Sequence, residues 1–255
     1  MRDLFDLSGK VAIVTGGNGG IGLGMARGLA SRGARIAVAG RDKKKSAKAV
    51  AELATFGTDA AAFEVDVADP GSAKRLAETV ASRFGGIDIL INNAGINIRK
   101  PPEAITLEEW NKVMDVNMTG AFLCSQAVYP EMKRRGGGKI VNIGSIMSIF
   151  GASFVPAYAA SKGAIVQFTK VCATAWAKDN IQVNAVIPGW IDTDLTVKAR
   201  EQVPGLHDRV LSRTPAGRWG KPDDLAGIAA FLCSRASDFV TGTAIPVDGG
   251  YSAMG

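Results

Sequence analysis

The chain has 255 residues, of which 47% are apolar and 21% are charged, so it can bury a large core and is not a disordered protein. Its net charge of +6 comes from dispersed Lys and Arg, and its three cysteines and single histidine are scattered. These features argue against a nucleic-acid partner, a disulfide framework and a Cys/His metal site. No apolar run approaches the roughly 18 residues of a membrane span, and the N-terminus has no signal-peptide pattern. We therefore expect a cytoplasmic protein with no membrane association.

Short apolar runs alternate with amphipathic stretches along the chain. The runs are uniformly apolar, which is typical of strands buried on both faces of a parallel sheet. Predicted strands lie at 10–15, 35–39, 60–65, 87–91, 139–143, 182–187 and 243–247. Predicted helices lie at 21–32, 43–55, 72–84, 107–134, 156–178 and 222–234. The pattern predicts an α/β fold, a single doubly wound Rossmann domain over residues 1–255, with a parallel seven-stranded sheet and helices on both faces.

The segment TGGNGGIG joins the first predicted strand to the first predicted helix. Glycines in this place let a backbone approach a dinucleotide pyrophosphate, whose charge the N–H groups of the helix terminus bind. Two frames fit the segment. Gly17, Gly19 and Gly22 match G-x-G-x-x-G, whereas Gly16 and Gly20, again with Gly22, match T-G-x-x-x-G-x-G. A tight strand–helix turn also needs glycine, so the loop alone does not establish a nucleotide site.

Four further residues carry chemistry. Tyr158 and Lys162 lie four residues apart in Y-A-A-S-K, on one face of a predicted helix. Ser145 stands thirteen residues before Tyr158, just after a predicted strand, and Asn117 lies in the helix that follows NNAG. Together with TGGNGGIG and the Pro-Gly pair at 188–189, these motifs resemble the short-chain dehydrogenase/reductase family in order and spacing, over essentially the whole chain.

The resemblance implies hydride transfer between a nicotinamide cofactor and a secondary alcohol or ketone. Tyr158 would be the acid/base, and the ammonium of Lys162 is expected to lower the pKa of that phenol from its usual value near 10. Ser145 would hydrogen-bond to the substrate oxygen. Lys162 would also hold the nicotinamide ribose, and Asn117 would position a water that relays protons. Taken singly, each residue has an ordinary structural explanation, but the four in register favour catalysis.

The family uses the T-G-x-x-x-G-x-G frame, and the matching positions define the expected cofactor site. The expected contacts are Gly16, Asn18, Gly20, Ile21, Gly22, Arg41, Asp66, Val67, Asn93, Tyr158, Lys162, Pro188, Gly189, Ile191 and Thr193. Asn92, next to Asn93, is expected to be structural.

The residues after the second predicted strand bear on the choice between NADP(H) and NAD(H). Members that use NAD place an Asp at the strand end to bind the ribose. Here that position is Gly40, followed by Arg41, whose guanidinium would bind a 2′-phosphate bidentately. Against this, Asp42 is near enough to serve a ribose, and Gly19 stands where many NADP enzymes carry a basic residue. The sequence favours NADP(H), with NAD(H) as the alternative.

The polar segment 190–221 is expected to form a lid over the substrate. The stretch RTPAGRWGKPDDLAG is similar to members of the family that act on sugar acids, such as gluconate 5-dehydrogenase and 2-deoxy-gluconate 3-dehydrogenase. Arg99, with Lys100, would lie at the pocket mouth and could pair with a substrate carboxylate. The expected substrate contacts are Ser145, Tyr158, Arg99, Met147 and Trp190, with Phe150 and Phe154 as further lining candidates. His207 has no evident catalytic partner.

The sequence leaves more than one substrate class open. A sugar acid or polyol is the first expectation, and a 3-oxoacyl thioester reductase with the same catalytic residues is the alternative enzyme. A non-catalytic, cofactor-binding scaffold is the alternative of another class, although such a protein would be expected to lose Tyr158, Lys162 or Ser145. The resemblance also implies a homotetramer, with a dimer as the fallback, built on helices 107–134 and 156–178 and on the C-terminal VDGGYSAMG.

Overall fold

The computed structural model of the protein describes residues 3–254; Met1, Arg2 and Gly255, which the predicted domain includes, lie outside the described residues. Seven strands form one sheet: β1 (Val11–Thr15), β2 (Arg35–Gly40), β3 (Ala60–Glu64), β4 (Ile89–Asn92), β5 (Gly138–Ile143), β6 (Ile181–Pro188) and β7 (Ala244–Val247). Their order is β3-β2-β1-β4-β5-β6-β7, and all neighbours are parallel. The predicted fold class is confirmed.

The helices are α1 (Gly20–Ala30), α2 (Lys43–Ala54), α3 (Pro70–Phe84), α4 (Leu107–Met114), α5 (Gly120–Arg134), α6 (Pro156–Trp176), α7 (Asp194–Gln202), α8 (Leu206–Arg213) and α9 (Ala226–Cys233). The predicted helix 107–134 is wrong as one regular helix, because a π-helical turn at Asp115–Thr119 separates α4 from α5. The segment 190–221, predicted only as polar, contains α7 and α8. Since α7 fully buries only Ala199, it has no apolar periodicity to reveal it.

The helix starts differ in a way that matters for the site. Asp42 caps α2, and Asp69 caps α3, which begins with Pro70, two residues before the predicted start at 72. In contrast, α1 follows Gly19 and has no side-chain cap. The first N–H groups of α1 are therefore available to a ligand at the carboxyl end of β1.

Two apolar cores fill the spaces above and below the sheet. One packs α1, α2 and α9 on one face, and the other packs α3, α5 and α6 on the opposite face. The chain reverses its direction of strand addition between β1 and β4, so the loops that follow these two strands diverge and leave a crevice at the carboxyl edge. Among residues 3–254, none of the helices combines the length and apolar character of a membrane span.

Candidate active site

A cleft of about 360 Å³ lies at the carboxyl edge of the sheet. It is lined by the glycine loop, the loops after β4 and β5, the start of α6, and the segment after β6. The predicted site residues that line it are Gly16, Asn18, Gly20, Ile21, Asn93, Arg99, Ser145, Met147, Tyr158, Lys162, Pro188, Gly189, Trp190, Ile191 and Thr193. Phe154 lines it as well.

Five predicted site residues lie outside this lining. Arg41 and Asp66 border a separate surface depression, and Val67 is buried beneath the start of α5. Gly22 and Asn117 lie directly behind the lining, where they contact Asn93 and the loop after β4 respectively. The structure thus gathers the predicted nicotinamide and substrate residues in one cleft and places Arg41 and Asp66 at a second depression.

The glycine loop uses the T-G-x-x-x-G-x-G frame. Gly16 and Gly20 have φ values of 64° and 51°, in the left-handed region that favours glycine. A Cβ on Gly22 would come within 2.5 Å of both the Gly16 carbonyl oxygen and the Asn93 amide nitrogen. The alternative frame depends on Gly19, which has extended backbone and space for a Cβ, with no atom within 4 Å. The backbone geometry therefore requires glycine at the positions of the T-G-x-x-x-G-x-G frame.

Asn93 holds the loop in place. Its Nδ2 donates to the carbonyl oxygens of Thr15 (2.9 Å) and Gly16 (3.2 Å). The Thr15 hydroxyl accepts from the backbone N–H groups of Asn93 and Ala94 and donates to the Ile91 carbonyl. Asn92 is buried and bonds to groups of α5 and β5, in a structural setting. The pinned loop leaves the uncapped start of α1 at the edge of the cleft, a cradle that fits a dinucleotide pyrophosphate.

The end of β2 carries a cation rather than a carboxylate. A Cβ on Gly40 would lie 2.9 Å from the Asn18 amide nitrogen, so this position has little space for the Asp of NAD-dependent members. Asp42 accepts a hydrogen bond from the Lys45 backbone N–H at 3.0 Å, and its carboxylate is thereby engaged as a helix cap. Arg41 is exposed and makes no ion pair or hydrogen bond within residues 3–254. The donor set at this place fits a 2′-phosphate.

Tyr158 and Lys162 project from the first turns of α6 into the cleft. Burial raises the pKa of Tyr158, and a hydrogen bond with Ser145 and the positive charge of Arg99 partly offset that rise. Lys162 Nζ donates to the Ile143 carbonyl at 2.7 Å and lies 5.7 Å from the Tyr158 ring centroid. Burial lowers the pKa of Lys162 to about 8.

The pKa of Tyr158 is raised, mainly by burial, and the cation that offsets this rise is Arg99. That the Lys162 ammonium lowers the pKa of Tyr158 stays a prediction. The Lys162 ammonium is engaged with a carbonyl group of β5. At neutral pH the phenol is therefore in its protonated form, which is the form that donates a proton to a carbonyl oxygen.

Ser145 is oriented by reciprocal bonds with its own loop. Its Oγ accepts from the Met147 N–H (3.1 Å), while Ser148 Oγ accepts from the Ser145 N–H (3.2 Å) and donates to the Lys162 carbonyl (2.7 Å). Because a backbone donor occupies the acceptor side of Ser145, its hydroxyl proton is directed elsewhere and can be donated to a neighbouring oxygen.

Asn117 sits in the π-helical turn and joins the loop after β4 to α6. Its Oδ1 accepts from the Ile96 N–H at 2.8 Å, and its Nδ2 donates to the Ile96 carbonyl and to Ser161 Oγ, each at 3.0 Å. Ser161 donates in turn to the Tyr158 carbonyl at 2.7 Å. Single π turns are common at functional sites, and here the wider turn carries the side chain that connects these elements. The role of Asn117 in a proton relay stays a prediction.

The two basic residues after β4 have different surroundings. Arg99 donates to the Leu195 carbonyl (3.0 Å) and to Gln202 Oε1 (3.1 Å), which ties the cleft wall to α7, and burial lowers the pKa of its guanidinium. Lys100 pairs with Glu109 of α4 at 2.6 Å and does not line the cleft. Of these two residues, Arg99 is therefore the one placed to meet a substrate anion.

Three further residues, in or near the cleft and the lid, have positions or contacts that differ from the sequence-based expectations or were not predicted. Phe150 does not line the cleft; its ring meets Tyr251 edge-on, and the Arg213 guanidinium lies 4.6 and 4.5 Å from the two ring centroids. His207 is exposed and accepts a hydrogen bond from Trp219 Nε1 at 3.1 Å. Sequence reasoning missed Asn97, which lines the cleft, because a lone polar residue in a loop has no pattern that distinguishes it.

Sequence reasoning also missed an ion pair over the cleft. Lys45 of α2 and Asp194 of α7 both line the cleft and pair with each other at 3.0 Å. Their partnership could not be inferred from the sequence, since the two residues are far apart in it. The pair links the cofactor side of the cleft to the lid.

The glycine loop and the uncapped start of α1 can hold a nicotinamide dinucleotide. Tyr158, Lys162 and Ser145 lie in the same cleft and can exchange a proton with a substrate oxygen. The fold and site define an NAD(P)-dependent oxidoreductase that acts on CH–OH groups. The family model described as Enoyl-(Acyl carrier protein) reductase matches residues 16–252. The chain belongs to the short-chain dehydrogenase/reductase family.

Several similar proteins carry the names of sugar-acid dehydrogenases and reductases. A 2-dehydro-3-deoxy-D-gluconate 5-dehydrogenase of Formosa agariphila is 42% identical, over 98% of this chain and 96% of its own length. The 5-keto-D-gluconate 5-reductase of Escherichia coli (strain K12) is 41% identical over 98% of both chains. The crystal structure of a gluconate 5-dehydrogenase from Burkholderia cenocepacia, in complex with NADP and tartrate, superimposes with a TM-score of 0.94, with 41% identity over 99% of both chains.

Proposed function

We propose that this protein interconverts a keto sugar acid and the corresponding hydroxy acid, with NADP(H) as the cofactor. The observation that carries the proposal is the position of Arg99, a partly buried cation that lines the cleft and acts electrostatically on the phenol of Tyr158. A carboxylate held by Arg99 would keep a neighbouring carbonyl group beside the acid/base.

The cleft would hold a nicotinamide, which would supply the hydride in reduction and accept it in oxidation. Tyr158, protonated at neutral pH, donates its proton to the carbonyl oxygen during reduction, and Ser145 donates a hydrogen bond to the same oxygen. In the oxidative direction Tyr158 must accept a proton as its phenolate, which Arg99 and Ser145 favour. Lys162 would hold the ribose hydroxyls and replace the proton on Tyr158, a role that suits a group with a pKa of about 8.

The preference for NADP(H) is supported by the end of β2. Arg41 is unpaired within residues 3–254, Asp42 is engaged as a cap, and Gly40 has little space for a carboxylate. The Burkholderia cenocepacia relative, at 41% identity, was crystallised with NADP. NAD(H) is the weaker alternative, since it would leave Arg41 without a phosphate to bind.

Two other functions are less well supported. A 3-oxoacyl thioester reductase could use the same catalytic residues, but a carboxylate-binding Arg99 serves no purpose for an acyl thioester, and the relatives reported above carry sugar-acid names. A non-catalytic scaffold would not need Tyr158, Ser145 and Lys162 together in one cleft.

The experiment that tests the proposal compares Arg99→Met with Lys100→Met. Reduction by NADPH is followed with 5-keto-D-gluconate and with an uncharged keto sugar of the same length. Arg99→Met is expected to raise KM for the acid about 10- to 100-fold more than KM for the uncharged sugar, since a charge-assisted bond is lost. Lys100→Met, whose partner is Glu109, is the control and should leave the acid-to-neutral ratio unchanged. An equal loss on both substrates, or an equal effect of the two variants, contradicts the proposal.

We further propose a homotetramer with 190–221 as its substrate lid, acting as a single domain in the cytoplasm. The outer faces of α5 and α6 support association, since Phe122 and Val171 are 41% and 64% exposed there. The three buried, free cysteines are compatible with a reducing compartment. Light scattering measures the assembly: a mass of four chains is expected, two chains would leave the dimer, and a monomer would refute association.

A further inference from the structure

Four buried polar side-chain atoms have no hydrogen-bond partner among residues 3–254: Arg35 Nε, Asn92 Oδ1, Asn97 Oδ1 and Trp190 Nε1. Arg35 still donates through its two terminal nitrogens, and Asn92 donates through its amide nitrogen. Asn97 and Trp190 are different, because their side chains make no hydrogen bond at all within residues 3–254. Both residues line the cleft. Buried polar groups in proteins are almost always paired, so two unpaired groups in one ligand cleft point to polar groups of the ligand.

The backbone around each residue is fixed. Ile96, next to Asn97, is clamped through its N–H and carbonyl by the amide of Asn117, and Arg99, two residues further, is bonded to the Leu195 carbonyl. The segment that carries Asn97 is thus held at both ends. The position of the Asn97 side chain is therefore set by the bonds of Ile96 to Asn117 on one side and by the bond of Arg99 to Leu195 of the lid on the other.

Trp190 is held by its own contacts. Its carbonyl accepts from the Gly220 N–H at 2.9 Å, and its ring packs edge-on against Trp219, with centroids 5.6 Å apart. Trp219 is itself fixed between the Arg200 guanidinium and the ring of His207. The indole N–H of Trp190 therefore has a defined direction, unlike the N–H of Trp219, which is already bonded to His207.

We infer that Asn97 and Trp190 bind hydroxyl groups of the substrate that do not take part in the reaction. The Trp190 indole N–H donates to one hydroxyl oxygen, and the Asn97 amide, which has both a donor and an acceptor group, pairs with another. This inference rests on the proposed function, because a sugar acid offers several hydroxyls besides the reacting one. A site that pairs its buried polar groups with substrate hydroxyls discriminates against analogues that lack them.

The test is a binding comparison that needs no turnover. Tartrate and succinate are dicarboxylates of equal chain length, and only tartrate carries hydroxyls. Their Kd values are measured by calorimetry on the NADP-saturated protein, for the wild type, Trp190→Phe and Asn97→Leu. The wild type should bind tartrate more tightly, and each variant should reduce the tartrate-to-succinate preference about fivefold to tenfold. Trp219→Phe is the matched control and should keep the preference, since the N–H it removes is bonded to His207.

Two outcomes overturn the inference: a wild type with no preference for tartrate, including failure to bind it, and variants that weaken both ligands equally. Failure of the proposed function has a different signature. If the wild type turns over no keto sugar acid but keeps a preference for tartrate that depends on Trp190 and Asn97, the proposed substrate is wrong and the hydroxyl-binding groups stand. Turnover of keto sugar acids with no such preference gives the reverse conclusion.

Discussion

The two halves of the cleft are built in different ways. The cofactor half is made mostly of backbone: glycines in the left-handed region, carbonyls held by Asn93, and a helix start with no side-chain cap. The substrate half is made of side chains from the loops after β4 and β5, from α6 and from the lid. They are positioned by bonds such as those of Arg99 to α7.

Because of this difference, residues of the substrate half can be substituted more freely than those of the cofactor half. A backbone cradle binds the phosphates that every nicotinamide dinucleotide shares, and a Cβ at one of its close contacts weakens that binding. Side chains in the other half can be exchanged one at a time, so substrate preference can change there without loss of the cofactor. The predictions below try to break this division.

The largest effect is expected from Tyr158→Phe. Removal of the phenolic hydroxyl should lower kcat about 10²- to 10⁴-fold, the usual contribution of a general acid. The Kd of NADPH, measured by fluorescence titration, should stay nearly unchanged, because the glycine loop and the start of α1 are untouched. Retained turnover would remove Tyr158 as the acid/base, and a matching loss of NADPH affinity would show that the two halves are not separable.

A substitution in the backbone half should have the opposite signature. Gly22→Ala places a Cβ within 2.5 Å of the Gly16 carbonyl and the Asn93 amide, and overpacking of about 1–3 kcal/mol corresponds to roughly a 10- to 100-fold weaker Kd for NADPH. Gly19→Ala, with no atom within 4 Å of its Cβ, is the matched control. Equal Kd values for the two variants would mean that the assigned glycine frame is wrong.

Arg41 is an exposed side chain that we assign to the cofactor half of the site. Arg41→Asp should weaken NADPH about tenfold, through loss of a charge-assisted bond and repulsion of the 2′-phosphate. NADH, which lacks this phosphate, serves as the internal control and should be used as well as before or better. If KM changes for neither cofactor, Arg41 does not bind the 2′-phosphate.

Burial of the Lys162 ammonium, in the substrate half of the cleft, should lower the free energy of unfolding. Its folded pKa of about 8 lies below the ordinary value of 10.5, so the fold penalises the charged form by about 3 kcal/mol below pH 8. The penalty fades as pH rises from 8 to 10.5. Lys162→Met should therefore be inactive but more stable than the wild type at pH 7, less the hydrogen bond to Ile143.

Urea unfolding at several pH values measures this difference. The stability gap between Lys162→Met and the wild type should be widest below pH 8 and should close towards pH 10.5. A gap that does not depend on pH, or a variant less stable than the wild type at pH 7, would show that burial of the ammonium costs little.

The same division governs what could be predicted from the sequence. Strands buried on both faces leave uniform apolar runs, so the sheet could be predicted from the residue pattern. Two glycine frames fitted the loop after β1, and only the family resemblance chose between them. Contacts between distant side chains leave no such mark: the bond of Arg99 to Leu195, the pair of Lys45 with Asp194 and the unpaired Asn97 emerged only from the structure. Helix α7 was missed because only Ala199 of its nine residues is fully buried, which is too few for a periodic signal.

The most direct test of the account is the initial rate of nicotinamide absorbance change, with NADPH and NADH offered separately against 5-keto-D-gluconate and a 3-oxoacyl thioester. Tyr158→Phe protein is the blank. We expect turnover of the keto sugar acid, faster with NADPH than with NADH, and a rate at least about 100-fold lower with Tyr158→Phe. Turnover of the thioester alone, or a clear preference for NADH, would contradict it.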